Sequence, residues 1–145
     1  MAKFKQFVPS GIMRAMLLML NEDLSINDSA TSKYTRGYAL IPGASAVTVT
    51  GNASQVHACS FEEQQQTLKS KMDEIGDQCP VINGFYGDGS KESTRIAKML
   101  HSGDASYLLV FPSITMCMGS QRKPEMAIAH FSEIANAADL PLICF

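Results

Sequence analysis

Charge is scarce in this sequence and is never gathered into runs. Charged residues make up 18% of 145 residues and the formal net charge is −2. With no basic stretch, a nucleic-acid-binding surface is excluded as a leading reading. No apolar run is long enough to span a bilayer. The longest, residues 12–20, is interrupted by Arg14, so no membrane partner is expected. The opening Met-Ala-Lys-Phe-Lys-Gln-Phe lacks the apolar segment of a secretory signal. A soluble, cytoplasmic protein is the default expectation. Cys59, Cys79, Cys117 and Cys144 include no C-x-x-C pair. Cys79 and Cys144 sit in or beside apolar strand-like runs and read as buried free thiols. His57, His101 and His130 are far apart and form no helical ligand pair, so no metal is expected.

Several catalytic signatures are also missing. Neither G-x-x-x-x-G-K-[ST] nor G-x-S-x-G occurs. Residues 84–89, Gly-Phe-Tyr-Gly-Asp-Gly, have the wrong glycine spacing for a dinucleotide fingerprint, and Asp88 would repel phosphate. A Schiff-base lysine needs a partly desolvated amine. Beyond a leader over residues 1–10, no lysine falls in an expected strand. Lys33, Lys69, Lys71, Lys91, Lys98 and Lys123 all read as helix faces or helix starts.

What is present is an apolar content of 46%, enough for one packed domain over residues 1–145. Residues 12–20 read as a first strand, by length and flanks. Ser25-Ile26-Asn27-Asp28 has the form of a capping box, and Ile26, Ala30, Tyr34, Tyr38 and Ile41 continue at helical spacing. Pro42-Gly43 closes that helix. Val47-Thr48-Val49-Thr50 is a β-branched strand. Ser60-Phe61-Glu62-Glu63 caps a second helix, with Phe61, Leu68, Met72 and Ile75 on one face.

Residues 80–86 form a third strand, with Pro80 at its start. Ser90 is the expected N-cap of a third helix through Ile96, Met99 and Leu100, ended by Gly103. Tyr107-Leu108-Leu109-Val110-Phe111 is the cleanest strand. A long loop carrying Met116 and Met118 follows. Pro124 opens a fourth helix with an expected buried stripe of Ile128, Phe131, Ile134 and Ala135. Residues 141–145 are a fifth strand. The fold class is α/β: four βα units and a fifth strand, all parallel. An open doubly wound sheet and part of a (β/α)₈ TIM barrel both fit this order.

The strand ends that meet on one side of such a sheet carry Asn21, Glu22 and Asp23; Gly51 to Gln55 with His57; Tyr86, Gly87 and Asp88; and Ser113 and Thr115. Gly51-Asn52-Ala53-Ser54-Gln55 is the leading candidate, because backbone amides near Asn52 and Ala53 could hold a small carboxylate or phosphate. The simpler reading is that Gly51 only makes a tight turn. Tyr86 could bond a substrate or donate a proton; the simpler alternative is that it packs at the strand mouth.

The order of these pieces resembles the dihydrodipicolinate synthase / N-acetylneuraminate lyase family. Gly11-Ile12 with Ala15 is similar to the family's opening strand, and Ser25-Ile26-Asn27 before Ala30 to its first helix. Gly51-Asn52-Ala53-Ser54-Gln55 stands where the family has Gly-Thr-Thr-Gly-Glu. Ser60-Phe61-Glu62-Glu63-Gln64 resembles its next helix start. Pro80-Val81-Ile82-Asn83-Gly84, Leu109-Val110-Phe111-Pro112 and Asp139-Leu140-Pro141-Leu142-Ile143 resemble its third, fourth and fifth strands. The resemblance spans nearly the whole chain but only the N-terminal half of a family member.

It implies a half TIM barrel and class I aldolase-type lyase chemistry on pyruvate or another 2-oxo acid through a Schiff base. It implies no cofactor, and homo-oligomers. It carries Gly51, Asn52 and Ala53 over as substrate-binding positions. Asn52 and Ala53 replace both threonines, and Ser54-Gln55 the Gly-Glu. Leu18-Met19 stands where Thr-Pro usually closes the first strand. The family's proton-relaying tyrosine falls where this chain has Ser113 and Ile114. The lysine strand would follow Phe145. The expectation is therefore a fragment, or truncated product, inactive by itself. A non-catalytic or decayed half-barrel that associates with another chain is the second reading. A five-stranded flavodoxin-like domain binding a small anion is the third.

Overall fold

The computed structural model describes residues 4, 8, 10–117, 119 and 122–145. Most of the 1–10 leader, and Met118 of the long loop, lie outside the described residues. Among the described residues five strands alternate with four α-helices: β1 (Ile12–Ala15), α1 (Asp28–Ala39), β2 (Ala44–Val49), α2 (Phe61–Ile75), β3 (Val81–Phe85), α3 (Ser90–Ser102), β4 (Tyr107–Val110), α4 (Pro124–Ala137) and β5 (Leu142–Cys144). All strand pairs are parallel and the sheet order is β1-β2-β3-β4-β5.

That order separates the architectures left open by periodicity. A doubly wound sheet reverses its winding at a switch point. Here every unit steps the same way, so right-handed crossovers place all four helices on one face. This is a half-barrel, and the flavodoxin-like alternative fails on strand order. Alternation along the strands sends Val47, Val49, Val81, Phe85, Leu108 and Val110 to the helices, where they meet Leu68, Ile75, Ile96, Leu100 and Ile134 in one core.

Local signals succeed where both partners are close in sequence. The Ser60 capping box forms in full: Glu63 N–H donates to Ser60 Oγ, and Ser60 N–H to the Glu63 carboxylate. Gly103 ends α3 and Pro124 opens α4. Other expectations need correction. The first strand is shorter than residues 12–20. Its last sheet bond runs from Met16 N–H to Thr48 O, after which Thr31 of α1 captures Met19 N–H at 3.0 Å. Asn27, not Ser25, caps α1 by accepting from Ala30 N–H, while Ser25 folds back onto the Asp23 carboxylate.

The buried face of α1 is Thr31, Thr35 and Ala39, one position round from the tyrosine stripe; Tyr38 is exposed and stacks on Tyr34. β2 starts at Ala44, three residues before Val47. Gly89, at φ +94°, is the N-cap of α3, because Ser90 turns its hydroxyl to His130 Nδ1 at 2.9 Å. On α4, Ile128 and Ala135 face solvent, and buried His130 takes a place in the stripe beside Phe131 and Ile134. Cys79 is buried as expected; Cys144, on the edge strand β5, is exposed.

Candidate functional site

The C-terminal ends of the strands meet around the turn that follows β2. Val49 closes the ladder opposite Asn83. The next residue, Thr50, is buried and left-handed at φ +49°. A β-branched residue resists this conformation, at a cost of about 1–3 kcal/mol. Side-chain bonds hold it there: Thr50 Oγ1 donates to Gly84 O at 2.7 Å, and Asn83 Nδ2 donates to Thr50 Oγ1 at 2.7 Å.

Gly51 begins a 3₁₀ turn over Asn52–Ser54. Gly51 O accepts from Ser54 N–H and Val56 N–H, and Asn52 O from Gln55 N–H. The N–H groups of Asn52 and Ala53 precede the first bond of this turn and have no acceptor inside it. Both residues are exposed. The turn therefore presents adjacent amide donors at the strand mouth, suited to a small anion. Ser54 is buried beneath, with its hydroxyl on Met16 O, so the turn is tied to the end of β1. Gly84 lets β3 close from the other side. A Cβ there would lie 2.7 Å from Thr50 O and 3.0 Å from Gly51 Cα.

The other residues singled out from the sequence divide. Tyr86 ties the neighbouring loops together: its hydroxyl donates to Asp88 Oδ1 and accepts from Ile114 N–H at 3.4 Å, bridging the loops after β3 and β4. Ile114 itself is 68% exposed. Asn21 and Asp23 form a local network with Ser25 and Asn27. The Ser25 hydroxyl and N–H hold the Asp23 carboxyl below its ordinary value. His57 is exposed on the second short turn, Val56–Ala58. Ser113 is buried, and the Thr115 side chain lies outside the described residues. Burial and Glu63 raise the Cys59 thiol above its ordinary value, which opposes a thiolate nucleophile. Among the described residues, no group of three or more His, Cys, Asp or Glu side chains could hold a metal. No helix among them is long and apolar enough to cross a membrane.

Three features escaped sequence reasoning. Thr50 and Asn83 sit in strand-like runs, and nothing in such a run announces a left-handed turn or a side-chain clamp. Lys71 is the third. It reads as a helix face, yet it is 1% exposed, and its Nζ has no hydrogen-bond partner among the described residues. Burial lowers its amine from 10.5 to about 8, against the opposing pull of Glu74 and Asp28. That is the electrostatic state of a nucleophilic lysine, but α2 seals it in the helix layer rather than at the strand mouth.

The sequence matches the model of the Dihydrodipicolinate synthetase family over residues 8–145. It is 28% identical over 103 residues to 4-hydroxy-tetrahydrodipicolinate synthase of Thermoanaerobacter sp. (strain X514), covering 71% of this chain and 33% of that protein. It is 23% identical over 135 residues to the synthase of Methanothermobacter thermautotrophicus, covering 93% of this chain and 46% of that one. The fold resembles a dihydrodipicolinate synthase family protein from Coccidioides immitis with a TM-score of 0.81 and 16% identity, over 92% of this chain and 42% of that chain. It matches YagE, a prophage protein of the same family from E. coli K12 solved in complex with pyruvate, with the same TM-score of 0.81 and 16% identity, over 92% of this chain and 43% of that one. The chain spans less than half the length of each of these relatives.

Proposed function

This chain belongs to the dihydrodipicolinate synthetase family, and we propose that it forms the carboxylate-binding half of a class I aldolase-type lyase acting on pyruvate or another 2-oxo acid. The observation that carries this reading is the pair of amide donors at Asn52 and Ala53. They lie at the mouth of β2, in the loop that takes the place of the family's Gly-Thr-Thr. Gly51, Asn52 and Ala53 hold the substrate carboxylate through the backbone, so loss of both threonine side chains leaves the donors in place. The pyruvate complex of the E. coli relative supports a 2-oxo acid as the ligand class.

The carbon–carbon bond is made or broken next to the keto group through a Schiff base, whose lysine comes from a strand outside these residues. Lys71 is excluded from that role by its burial on α2, at 1% exposure. The chain alone therefore binds without turnover, in the cytoplasm. The test pairs saturation-transfer NMR with borohydride trapping. Pyruvate binds and acetone, which lacks the carboxylate, does not; reduction leaves no covalent adduct on the chain. A stable adduct, or equal binding of acetone, overturns the proposal.

A second reading is favoured by one observation. Among the described residues β1 and β5 are each paired on one side only, and Ile12 and Phe145 beside those edges are 65% and 73% exposed. Open parallel edges with apolar side chains favour association, as a homo-oligomer or with another chain. Sedimentation velocity reads this directly. A monomer at high concentration contradicts it.

A further inference from the structure

We propose that Asn83 is a positioning residue for the Gly51 turn: through Thr50 and Gly84 it fixes the backbone that presents the Asn52 and Ala53 amides. This rests on the carboxylate-binding reading above.

Three facts converge on Asn83. First, it stands at the last rung of the β2–β3 ladder, opposite Val49. Beyond that rung, side chains take over from backbone bonds. Asn83 Nδ2 donates to Thr50 Oγ1 at 2.7 Å and to Gly84 O at 2.9 Å, while Thr50 Oγ1 donates to the same carbonyl at 2.7 Å. The three groups close a small ring across the two strands. Second, the residue held by that ring is the strained one, Thr50 at φ +49°. An unclamped threonine relaxes to negative φ. Rotation there turns the next peptide, and with it the direction of the amides that follow Gly51.

Third, Asn83 is poorly suited to a purely stabilising role. It is fully buried, and its Oδ1 has no hydrogen-bond partner among the described residues. An apolar residue of similar shape would leave no orphaned oxygen there. The donor side of the amide is the side in use, and both of its bonds go to the clamp. Gly84 completes the device, since a Cβ at that position would meet Thr50 O and Gly51 Cα.

The test uses Asn83→Leu, Thr50→Gly and the double variant in the full chain. Each is read by melting temperature, by the three-bond HN–Hα coupling of residue 50, by amide exchange at Asn52 and Ala53, and by pyruvate titration. Asn83→Leu is expected to keep or raise the melting temperature. It takes the Thr50 coupling out of the left-handed range, speeds exchange, and weakens pyruvate by about tenfold, the fraction of chains keeping the competent turn falling in proportion. Glycine is at home at positive φ. Adding Thr50→Gly to Asn83→Leu therefore restores affinity to within about threefold of the parent, by the same proportionality.

Parent-like affinity in Asn83→Leu overturns the proposal, as does failure of Thr50→Gly to restore it. If the parent chain itself does not bind pyruvate, the carboxylate reading fails and the clamp is judged on the coupling and exchange alone. A left-handed Thr50 in Asn83→Leu then refutes it. Should Asn83→Leu not fold, Asn83→Ala is read by the same measurements.

Discussion

Replacing Lys71 with methionine should make this protein more stable at neutral pH and leave it unchanged at high pH. Lys71 lies beneath the seam between α1 and α2. Three polar rungs cross the seam: Gln66 to Asp28 at 2.6 Å, Ser70 to Ser32 at 3.3 Å, and Arg36 to Glu74 at 2.6 Å. Below them are Thr31, Thr35 and Thr67, all buried, with Thr67 Oγ1 also lacking a partner. Desolvation in this wedge lowers the amine from 10.5 to about 8. The unfolded chain keeps its proton up to about pH 10.5, whereas the folded chain releases it near pH 8. Between these values the unfolded state binds more protons, so stability rises with pH from 8 to 10.5. Below 8 it rests on its lower plateau. The difference between the two levels is about 3 kcal/mol.

Methionine keeps most of the length of the side chain, one atom short, without a charge to desolvate. Urea unfolding of the parent and Lys71→Met at pH 7 should show the variant more stable by about 1–3 kcal/mol, since water penetration and Glu74 relieve part of the burden. The gap should close by pH 10.5. A variant less stable than the parent at pH 7, or a gap independent of pH, would refute the burial argument.

Three further outcomes follow from the same reasoning. Burial lowers the His130 imidazole, with Glu133 opposing, so the folded chain takes up this proton at a lower pH than the unfolded chain, which does so near about 6.5. Stability should fall as pH drops below 6.5, and His130→Phe, measured by urea unfolding at pH 7 and 5, should flatten that decline. Leu24 is exposed at φ +68°. Leu24→Gly removes that strain and should raise the melting temperature, with a gain of about 1 kcal/mol. Ser60→Ala removes the hydroxyl that accepts from Glu63 N–H, leaves the backbone half of the α2 capping box in place, and should cost about 1 kcal/mol in a denaturant titration.

The sequence was most legible where the partners are neighbours. Ser60 and Glu63 are three residues apart, and the cap they form needs nothing else. Ser90 is also a good capping residue by type, yet His130, forty positions away, recruits its hydroxyl and leaves the cap to Gly89. Lys71 reads as solvated because charged residues on helices usually are. Only the docking of α1 onto α2 buries it. Thr50 has the propensity of a strand residue, and its left-handed turn is imposed by Asn83 and Gly84 from another strand. Strand order was equally invisible to periodicity, which repeats in the same way for a doubly wound sheet and a barrel. The Gly51 turn itself was found from its small residues, but the hydroxyl bonds of Thr50 and Ser54 that fix it were not.

Carboxylate capture by the Gly51 turn is tested by an amide-resolved NMR titration of the chain with pyruvate, beside acetone as the ligand without a carboxylate. Saturable shifts at Gly51, Asn52 and Ala53 are expected with pyruvate alone. Shifts that fall elsewhere, or that acetone reproduces, would contradict it.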